Sequence, residues 1–190
     1  MIWMLAYACQ GEKIVETGLD EEVQEEERYP YDIAESCHPE LEGWSDPWMG
    51  AEFAALNDIN RMREQGADCN TMGMFEPALP LEMEPYLHCA ARYHSLWMVE
   101  NDVLQHESPG GALGEGPQQR MENAGFSGAP VGENVAAGSA SPTDTVASWM
   151  GSDGHCANIM SPAASVAGIG YYNTDQGYSH YWTLNTGRID

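Results

Sequence analysis

Two short glycine-flanked segments constrain this chain more than any other feature of its sequence. The first reads Gly132-Glu133-Asn134-Val135, and the second runs from Trp149 to Met160 with Ser152-Asp153-Gly154-His155 at its centre. Each segment sets a titratable side chain beside apolar residues that would fix it to a core. A carboxylate and an imidazole held in this way can bind a metal, transfer a proton or hydrogen-bond each other.

The charge balance excludes some partner classes. A chain of 190 residues suits one domain with a full core and about forty further residues. The net charge of −23 comes from 30 Asp and Glu against 7 Lys and Arg. Such a surface repels nucleic acid and anionic membranes, so we expect neither as a partner. Solubility, including in a salty habitat, explains the acidity more simply than an acidic docking surface.

The N-terminal quarter divides into two predicted regions. Residues 1–9 are an apolar run that ends in small residues and Cys9. The run resembles a bacterial lipoprotein signal with Cys9 as the lipidated residue, although it is short and lacks a positively charged start; a plain apolar tail is the alternative. Residues 10–46 are rich in acids, and their apolar residues follow no period, so we predict a disordered tether. The folded domain is then predicted to span residues 47–190, and no segment is long enough to cross a bilayer.

Hydrophobic periodicity predicts helices first and a hairpin last. Helical spacing or capping signals mark four segments: about 47–66, 85–101, 117–124 and the stretch that follows a Ser141 cap. Strand patterns mark three segments: 132–137, 167–173 and 178–185, the last two joined by a turn at 174–177. This order favours an α+β fold in which helices pack against an antiparallel sheet.

Six motifs also occur in a fixed order over about residues 50–188: Leu56-Asn57-x-x-Asn60, Ala90-Ala91-x-x-His94-Ser95-x-x-Met98, His106-x-Ser108-Pro109-Gly110-Gly111, Gly132-Glu133-Asn134, the Trp149–Met160 segment, and Gly168-Ile169-Gly170 with Tyr181-Trp182-Thr183. Together they resemble the bacterial branch of the CAP superfamily (cysteine-rich secretory, antigen 5 and pathogenesis-related proteins), also called the SCP domain. The resemblance implies a three-layer α-β-α sandwich with an antiparallel central sheet. It also implies a cleft lined by two histidines and acidic residues, in a protein exported to the cell envelope or outside the cell.

The resemblance places His106, Glu133 and His155 in this cleft. Ser152 stands where eukaryotic relatives carry a further glutamate, so the set of two histidines and two acidic side chains is incomplete here. The three remaining side chains could supply ligands to a divalent cation such as zinc and leave one coordination position open for water. No HExxH motif is present, and the three residues come from separate segments.

Other residues near these motifs have structural interpretations beside functional ones. His94 lies on the apolar face of its helix, where a core histidine bonded to a backbone carbonyl is favoured over a place in the cleft. Glu133 and Asn134 could organise their loop by hydrogen bonds instead of taking part in chemistry. The remaining histidines have no partner motif and are interpreted as solvated or incidental: His38, His88 and His180.

The functional expectation follows from the cleft and the resemblance. A serine hydrolase would have to use Ser108 or Ser152 without a recognisable nucleophile motif. Proteolysis has been proposed for some members of the superfamily, and sterol or fatty-acid binding for others. We expect a monomeric binding module, secreted or attached to the envelope through Cys9, for an unidentified small molecule or lipid. A metal- or acid/base-dependent hydrolase that uses the same cleft is the alternative.

Four cysteines lie beyond Cys9: Cys37, Cys69, Cys89 and Cys156. An even count in an exported domain favours disulfides, and three pairings are open in principle. The resemblance suggests a bacterial subgroup with cysteines at the positions of Cys69 and Cys156, which implies that these two form a bridge; a buried free thiol at Cys156 is the alternative. Cys37 and Cys89 are then the remaining pair, although Cys37 lies in the predicted tether.

Overall fold

In the computed structural model, which describes residues 37–189, a four-stranded sheet lies between two layers of helices. The helices are α1 (Asp46–Gln65), α2 (Pro85–Asn101), α3 (Pro117–Ala124), α4 (Pro142–Met150) and α5 (Asp153–Met160). The strands are β1 (Ala67–Asp68), β2 (Met74–Phe75), β3 (Glu82–Met83), β4 (Ala129–Ala137), β5 (Val166–Asn173) and β6 (His180–Arg188). Short 3₁₀ turns cover Pro39–Leu41 and Asn70–Met72.

The sheet has the strand order β3-β5-β6-β4. Its three long strands are antiparallel, because β6 pairs with both β4 and β5 in that sense. The predicted α+β fold with an antiparallel sheet is therefore confirmed. In addition, the two-residue strand β3 joins the edge of β5 in parallel, which the long connection through α2, α3 and β4 permits. β1 and β2 form a separate antiparallel pair.

The helix boundaries follow local signals in the sequence. Helices α1 to α4 each have a proline in the first turn, where the missing N–H leaves no hydrogen bond unmade. The Oγ of Ser141 accepts a hydrogen bond from the backbone N–H of Asp144 at 3.2 Å, as its predicted role as a cap requires. Helix α1 ends at Gly66, whose φ of 72° favours glycine.

Helices cover both faces of the sheet. Helix α2 crosses β5 closely because Gly168 and Gly170 have no side chain; a Cβ at either position would collide with the α2 backbone. On the opposite face, a core cluster joins residues of α1, α4 and α5 to those of β5 and β6, with Trp149 and Trp182 as its largest members. This is the expected three-layer α-β-α sandwich. None of the helices in the described part of the chain is long and apolar enough to cross a bilayer.

The packed domain begins earlier than predicted. Leu41 and Trp44 are buried against α2, and Cys37 forms a disulfide with Cys89 of that helix. The prediction that residues 10–46 form a tether without core contacts is therefore wrong for residues 37–46. The reason is that two large apolar side chains and one covalent bond anchor this stretch without any periodic pattern. The rest of the predicted tether and the lipidation candidate Cys9 lie outside the described residues.

The predicted disulfide between Cys69 and Cys156 is present, with a Cα–Cα distance of 5.5 Å. The second bridge joins Cys37 and Cys89, whose Cα atoms are 6.3 Å apart. The first bridge links the loop after α1 to α5 directly beside His155. The second fastens the N-terminal segment to α2 directly beside His88. Each disulfide thus fixes backbone next to a histidine.

Candidate functional site

Glu133 is the centre of the candidate site. It lies in β4 opposite Asn185 of β6, and its side chain is only 3% exposed. One carboxylate oxygen, Oε1, is 2.9 Å from Nδ1 of His106, and the other, Oε2, is 2.7 Å from Nη2 of Arg120. The amide of Asn185, oriented with its nitrogen toward the carboxylate, donates to Oε2 at 3.0 Å. Three side chains therefore bind this carboxylate.

Arg120 of α3 connects the carboxylate to the loop that carries His106. Its fully buried guanidinium donates to the carbonyl oxygens of His106 and Glu115, at 2.8 and 3.0 Å, and to Oγ of Ser108 at 2.7 Å. These bonds fix residues 106–116 against α3. Arg120 lies outside the motifs singled out in the sequence, where its one signal is that it is a single arginine within a short predicted helix of a chain with few cations.

His94 lies directly behind the carboxylate. Its Nε2 is 2.8 Å from the carbonyl oxygen of Gln105, its Nδ1 is 3.1 Å from Oγ of Ser108, and Nε2 is also 3.9 Å from Glu133. Burial lowers the pKa of His94 to about 4, so the ring is neutral near pH 7. His94 thus occupies the core position with a carbonyl partner that its sequence pattern favours, at the back wall of the cleft.

His106 is the part of this network that reaches solvent. Its side chain is 47% exposed, and its hydrogen bond with Glu133 raises the pKa of His106 above its ordinary value, against the opposing effect of partial burial. The neighbouring carboxylate of Glu107 contributes to this rise. Because Nδ1 faces Glu133, Nε2 is the ring nitrogen that a ligand can contact. His106 therefore presents at the surface a ring nitrogen that donates a hydrogen bond when the imidazole is protonated.

Amide side chains place His155 beside the same strand. Nδ2 of Asn134 donates to the carbonyl oxygen of His155 at 3.0 Å, and Nδ2 of Asn158 donates to Oδ1 of Asn134 at 2.9 Å and to the carbonyl oxygen of Glu133 at 3.2 Å. A Cβ at Gly132 would lie 2.8 Å from Oδ1 of Asn158, so this approach requires glycine. Asn134 thus connects β4 to the start of α5.

The imidazole of His155 is half-buried. Burial and the nearby charge of His106 both lower the pKa of His155. Two imidazoles with opposite pKa shifts therefore lie near each other, one favouring the cation and the other the neutral ring. No hydrogen bond joins the His155 side chain to His106 or to Glu133.

Comparison with known proteins gives this arrangement a family. Residues 56–186 match the Cysteine-rich secretory protein family, CAP. This chain belongs to the CAP family. The match covers helices α2 to α5, nearly all of the four-stranded sheet and every candidate site residue.

Individual proteins similar to this chain come from bacteria. Protein YkwD of Bacillus subtilis is 36% identical over 92 residues, which are 48% of this chain and 35% of that protein. An extracellular protein of Bacillus anthracis that contains an SCP domain superposes with a TM-score of 0.61 at 23% identity, over 74% of this chain and 41% of the other. An outer surface protein of Borrelia burgdorferi superposes with a TM-score of 0.59 at 18% identity, over 74% of this chain and 94% of the other. The chain thus spans about a third of the length of YkwD, and the two structural likenesses support the fold.

The CAP cleft of this chain does not assemble the predicted three-ligand metal set. Within residues 37–189, no three His, Cys, Asp or Glu side chains are grouped closely enough to hold a metal ion. The carboxylate of Glu133 already has His106 on one oxygen and Arg120 on the other. A guanidinium at this distance would also repel a cation bound to the same carboxylate. The side chains of His106, Glu133 and His155 therefore do not fit a shared zinc ion as they are arranged.

Neither candidate serine combines an exposed hydroxyl with a neighbouring base. Ser108 is fully buried, and its Oγ is held by Arg120 and His94. Ser152 is half-buried at the N-cap of α5, where its side chain makes no capping hydrogen bond, and no imidazole among the described residues bonds to its Oγ. A base within hydrogen-bond reach of the hydroxyl is the basis of serine activation. Ser152 lacks such a base within the described residues, whereas Ser108 has His94 at 3.1 Å but is fully buried and also bonded by Arg120.

A groove opens beside His106 and Glu133. It has a volume of about 390 Å³ and lies between α3 and the start of β4. Its remaining walls come from Pro117, Gln118, Met121, Pro130, Val131 and Gly132. Most of these residues are apolar, so the CAP cleft combines one polar end with a largely apolar wall.

Proposed function

We propose that this CAP domain is an extracellular binding module that holds a small amphipathic molecule in the groove between α3 and β4. The observation that carries the proposal is the position of His106 and Glu133 in the wall of an otherwise apolar groove. Its volume falls in the range of small-molecule sites, which are mostly apolar with a few fixed polar groups. The extracellular location is supported by two fold relatives described as an extracellular and an outer surface protein.

The polar end of the groove defines the ligand chemistry. Glu133 is already neutralised by Arg120 and hydrogen-bonded to His106, so it offers little attraction to a cation. When the ring of His106 is protonated, its Nε2 donates and suits an acceptor such as a carboxylate or a hydroxyl oxygen. Pro117, Met121 and Val131 would contact the apolar body of the ligand. We therefore propose a fatty-acid-like or sterol-like ligand whose polar group accepts a hydrogen bond from His106.

Titration with dansyl-undecanoic acid, a fluorescent fatty acid, tests the binding function. Gln118 is exposed in the groove wall, so Gln118→Trp should fill the groove without disturbing the core and weaken binding about tenfold or more. Glu122→Trp is the matched control, since Glu122 is exposed one turn further along α3 and does not line the groove. His106→Gln should weaken binding about tenfold, because it removes a charge-assisted hydrogen bond. Equal loss in Gln118→Trp and Glu122→Trp would contradict the site.

A specific observation favours the hydrolase as second candidate. A histidine with a raised pKa beside one with a lowered pKa can act as general acid and general base. Turnover of peptide or ester substrates with a bell-shaped pH profile, abolished by either His106→Gln or His155→Gln, would establish this candidate over pure binding. Elemental analysis of the purified protein tests the zinc hypothesis separately. Stoichiometric zinc that disappears in these two variants and in Glu133→Gln would show that the side chains rearrange to bind metal.

A further inference from the structure

The segment between β2 and β3 contains two prolines three residues apart, in the order Glu76-Pro77-Ala78-Leu79-Pro80-Leu81. Proline holds its own φ near −65°, and the residue before a proline is restricted to extended backbone. These two effects restrict the backbone dihedral angles of residues 76, 77, 79 and 80. The segment forms no helix or strand, and none of its residues has a positive φ. The sequence therefore favours a polyproline II conformation here.

Burial along the segment follows the three-residue period of a polyproline II helix. Ala78 is half-buried and Leu81 is buried, so the edge that carries every third residue faces the domain. The residues on the other two edges are exposed: Glu76, Pro77, Leu79 and Pro80. Leu79 is 83% exposed, more than any other large apolar side chain of the described residues. Two edges of the segment are thus presented to solvent.

Helix α1 fixes the inner edge. The backbone N–H of Ala78 donates to the carbonyl oxygen of Arg63 at 2.8 Å, and Nε of Arg63 donates to the carbonyl oxygen of Leu79 at 2.8 Å. The amide of Asn60 bonds both backbone groups of Leu81, at 2.7 and 2.9 Å. A segment held in this way loses little conformational entropy when a partner binds its outer edges.

The segment has open space on both sides. It forms a shared wall of two cavities of about 780 and 810 Å³. The first is bounded by Asn57, Arg61 and Glu64 of α1, and the second by residues 162–166 and Arg188. Neither cavity shares a lining residue with the ligand groove beside His106. Side chains of a partner could therefore enter on either side of the prolines.

We propose that residues 76–81 are an interaction surface for a partner protein domain that binds polyproline II segments in an aromatic-lined groove. Such grooves recognise the two outer edges of a segment with prolines three residues apart. Three exposed carboxylates surround the segment, those of Glu64, Glu76 and Glu82. They outnumber the two exposed guanidinium groups nearby, of which Arg61 pairs with Asp58 at 2.8 Å and Arg188 lines the second cavity. The partner's groove therefore has a basic rim. This surface is independent of the ligand groove.

NMR titration of the ¹⁵N-labelled full chain with a purified SH3-type domain, chosen for an aromatic groove and a basic rim, tests the proposal. Saturable shifts confined to the amides around Ala78, Leu79 and Leu81 are expected. Pro77→Ala combined with Pro80→Ala should weaken binding about tenfold or more. Pro162→Ala is the control, because Pro162 lines the second cavity outside the segment.

Leu79→Asp provides a second variant that keeps both prolines and the contacts to α1, and it should also abolish the shifts. A synthetic peptide of residues 75–82 should compete with the full chain for the domain. Absence of shifts at millimolar domain, shifts that map elsewhere on the acidic surface, or unchanged affinity in the double proline variant would each overturn the proposal. These outcomes are separate from those of fatty-acid binding, since the two surfaces share no residue.

Discussion

Two glutamates of this domain have similar partners and different surroundings. Glu52 of α1 bonds His88 at 2.8 Å and Arg92 at 2.7 Å, and all three side chains are fully buried. Glu133 of β4 bonds His106 at 2.9 Å and Arg120 at 2.7 Å, but this histidine is half-exposed and borders a groove. A carboxylate with an arginine and a histidine therefore occurs once inside the core and once at a surface opening.

The partners of Glu52 explain its structural role. Oε1 also accepts hydrogen bonds from Nε1 of Trp44 at 2.9 Å and from the backbone N–H of Tyr171 at 3.0 Å. Burial would raise the pKa of Glu52, but the charges and hydrogen bonds of His88 and Arg92 outweigh burial and lower it. Through these bonds Glu52 joins the N-terminal segment, α1, α2 and β5. The contrast indicates that exposure of one imidazole, and not the choice of residue types, distinguishes the open site from the buried one.

The largest expected effect concerns the disulfides that fix the two regions. The Cys69–Cys156 bridge closes a separation of 87 residues beside His155, and the Cys37–Cys89 bridge closes one of 52 residues beside His88. The chain-entropy model gives about 4.6 and about 4.1 kcal/mol for these loops. We expect paired Cys→Ser variants to lose about 4 to 5 kcal/mol each in chemical denaturation.

The two disulfide variants should also differ in which region loosens. Hydrogen exchange should rise around Trp44 and His88 after loss of the Cys37–Cys89 bridge, and around α5 after loss of the Cys69–Cys156 bridge. Equal loosening of both regions in both variants would show that the two histidine regions form one cooperative unit.

The second prediction compares the two carboxylates directly. Glu52→Gln leaves Arg92 buried without a counter-charge, which typically costs about 3 to 5 kcal/mol of unfolding free energy. Glu133→Gln also leaves a buried guanidinium without its counter-charge, but it should cost less, because Arg120 keeps its hydrogen bonds to the carbonyl oxygens of His106 and Glu115 and to Oγ of Ser108. Urea denaturation of the two variants measures the difference. A larger loss for Glu133→Gln would show that the open site carries more of the fold's stability than the buried one.

The motifs of the sequence point to the open site and not to the buried one. Glu133, His106 and His155 lie in motifs that resemble a family; in the structure His106 bonds Glu133 of β4, and Asn134 of β4 bonds the backbone of His155. Glu52 and His88 lie in ordinary helical patterns, and His88 was interpreted as incidental although it is fully buried. A side chain whose partners come from three other elements leaves no local pattern. Arg92 and Arg120 were missed for the same physical reason.

The fold was predicted where periodicity is strong. Helices α1 to α4 and the three long strands follow their predicted segments within a few residues. The strand β3 has two residues and the packed stretch 37–46 has no period, so neither gives a signal over a window of several residues. The position of His155 relative to the carboxylate of Glu133 depends on Asn134 and Asn158. Their tertiary hydrogen bonds cannot be predicted from the spacing of residues in the sequence.

The third prediction is a loss of stability in mild acid through His94. Oγ of Ser108 accepts from Arg120 and so donates to Nδ1 of His94, which leaves the ring proton on Nε2 for the carbonyl of Gln105. The folded pKa of about 4 lies below the ordinary value of 6.5. The unfolded chain therefore takes up this proton first, and stability is lost as the pH falls from 6.5 toward 4, by up to about 3 kcal/mol.

Thermal denaturation between pH 8 and pH 4 measures the slope of stability against pH. His94→Gln cannot titrate and should flatten the slope, whereas His155→Gln, at a half-buried ring, should flatten it much less. An unchanged slope in His94→Gln would assign the acid sensitivity to other groups, with His88 next because burial lowers its pKa too.

The smallest expected effect concerns the ion pair between His106 and Glu133, and it tests whether Glu133 sets the pKa of His106. The pKa of His106 is raised, so its ion pair with Glu133 stabilises the fold below the ordinary pKa and is lost as the pH rises through the folded value. Because the ring is half-exposed, the contribution should be below about 1 kcal/mol. NMR titration of the ring protons is therefore the better measurement. Glu133→Gln should return the pKa toward 6.5, whereas Glu107→Gln, which removes only an exposed neighbouring charge, should lower it less. If Glu107→Gln lowers the pKa of His106 more than Glu133→Gln does, the surface charge and not the buried carboxylate sets this pKa.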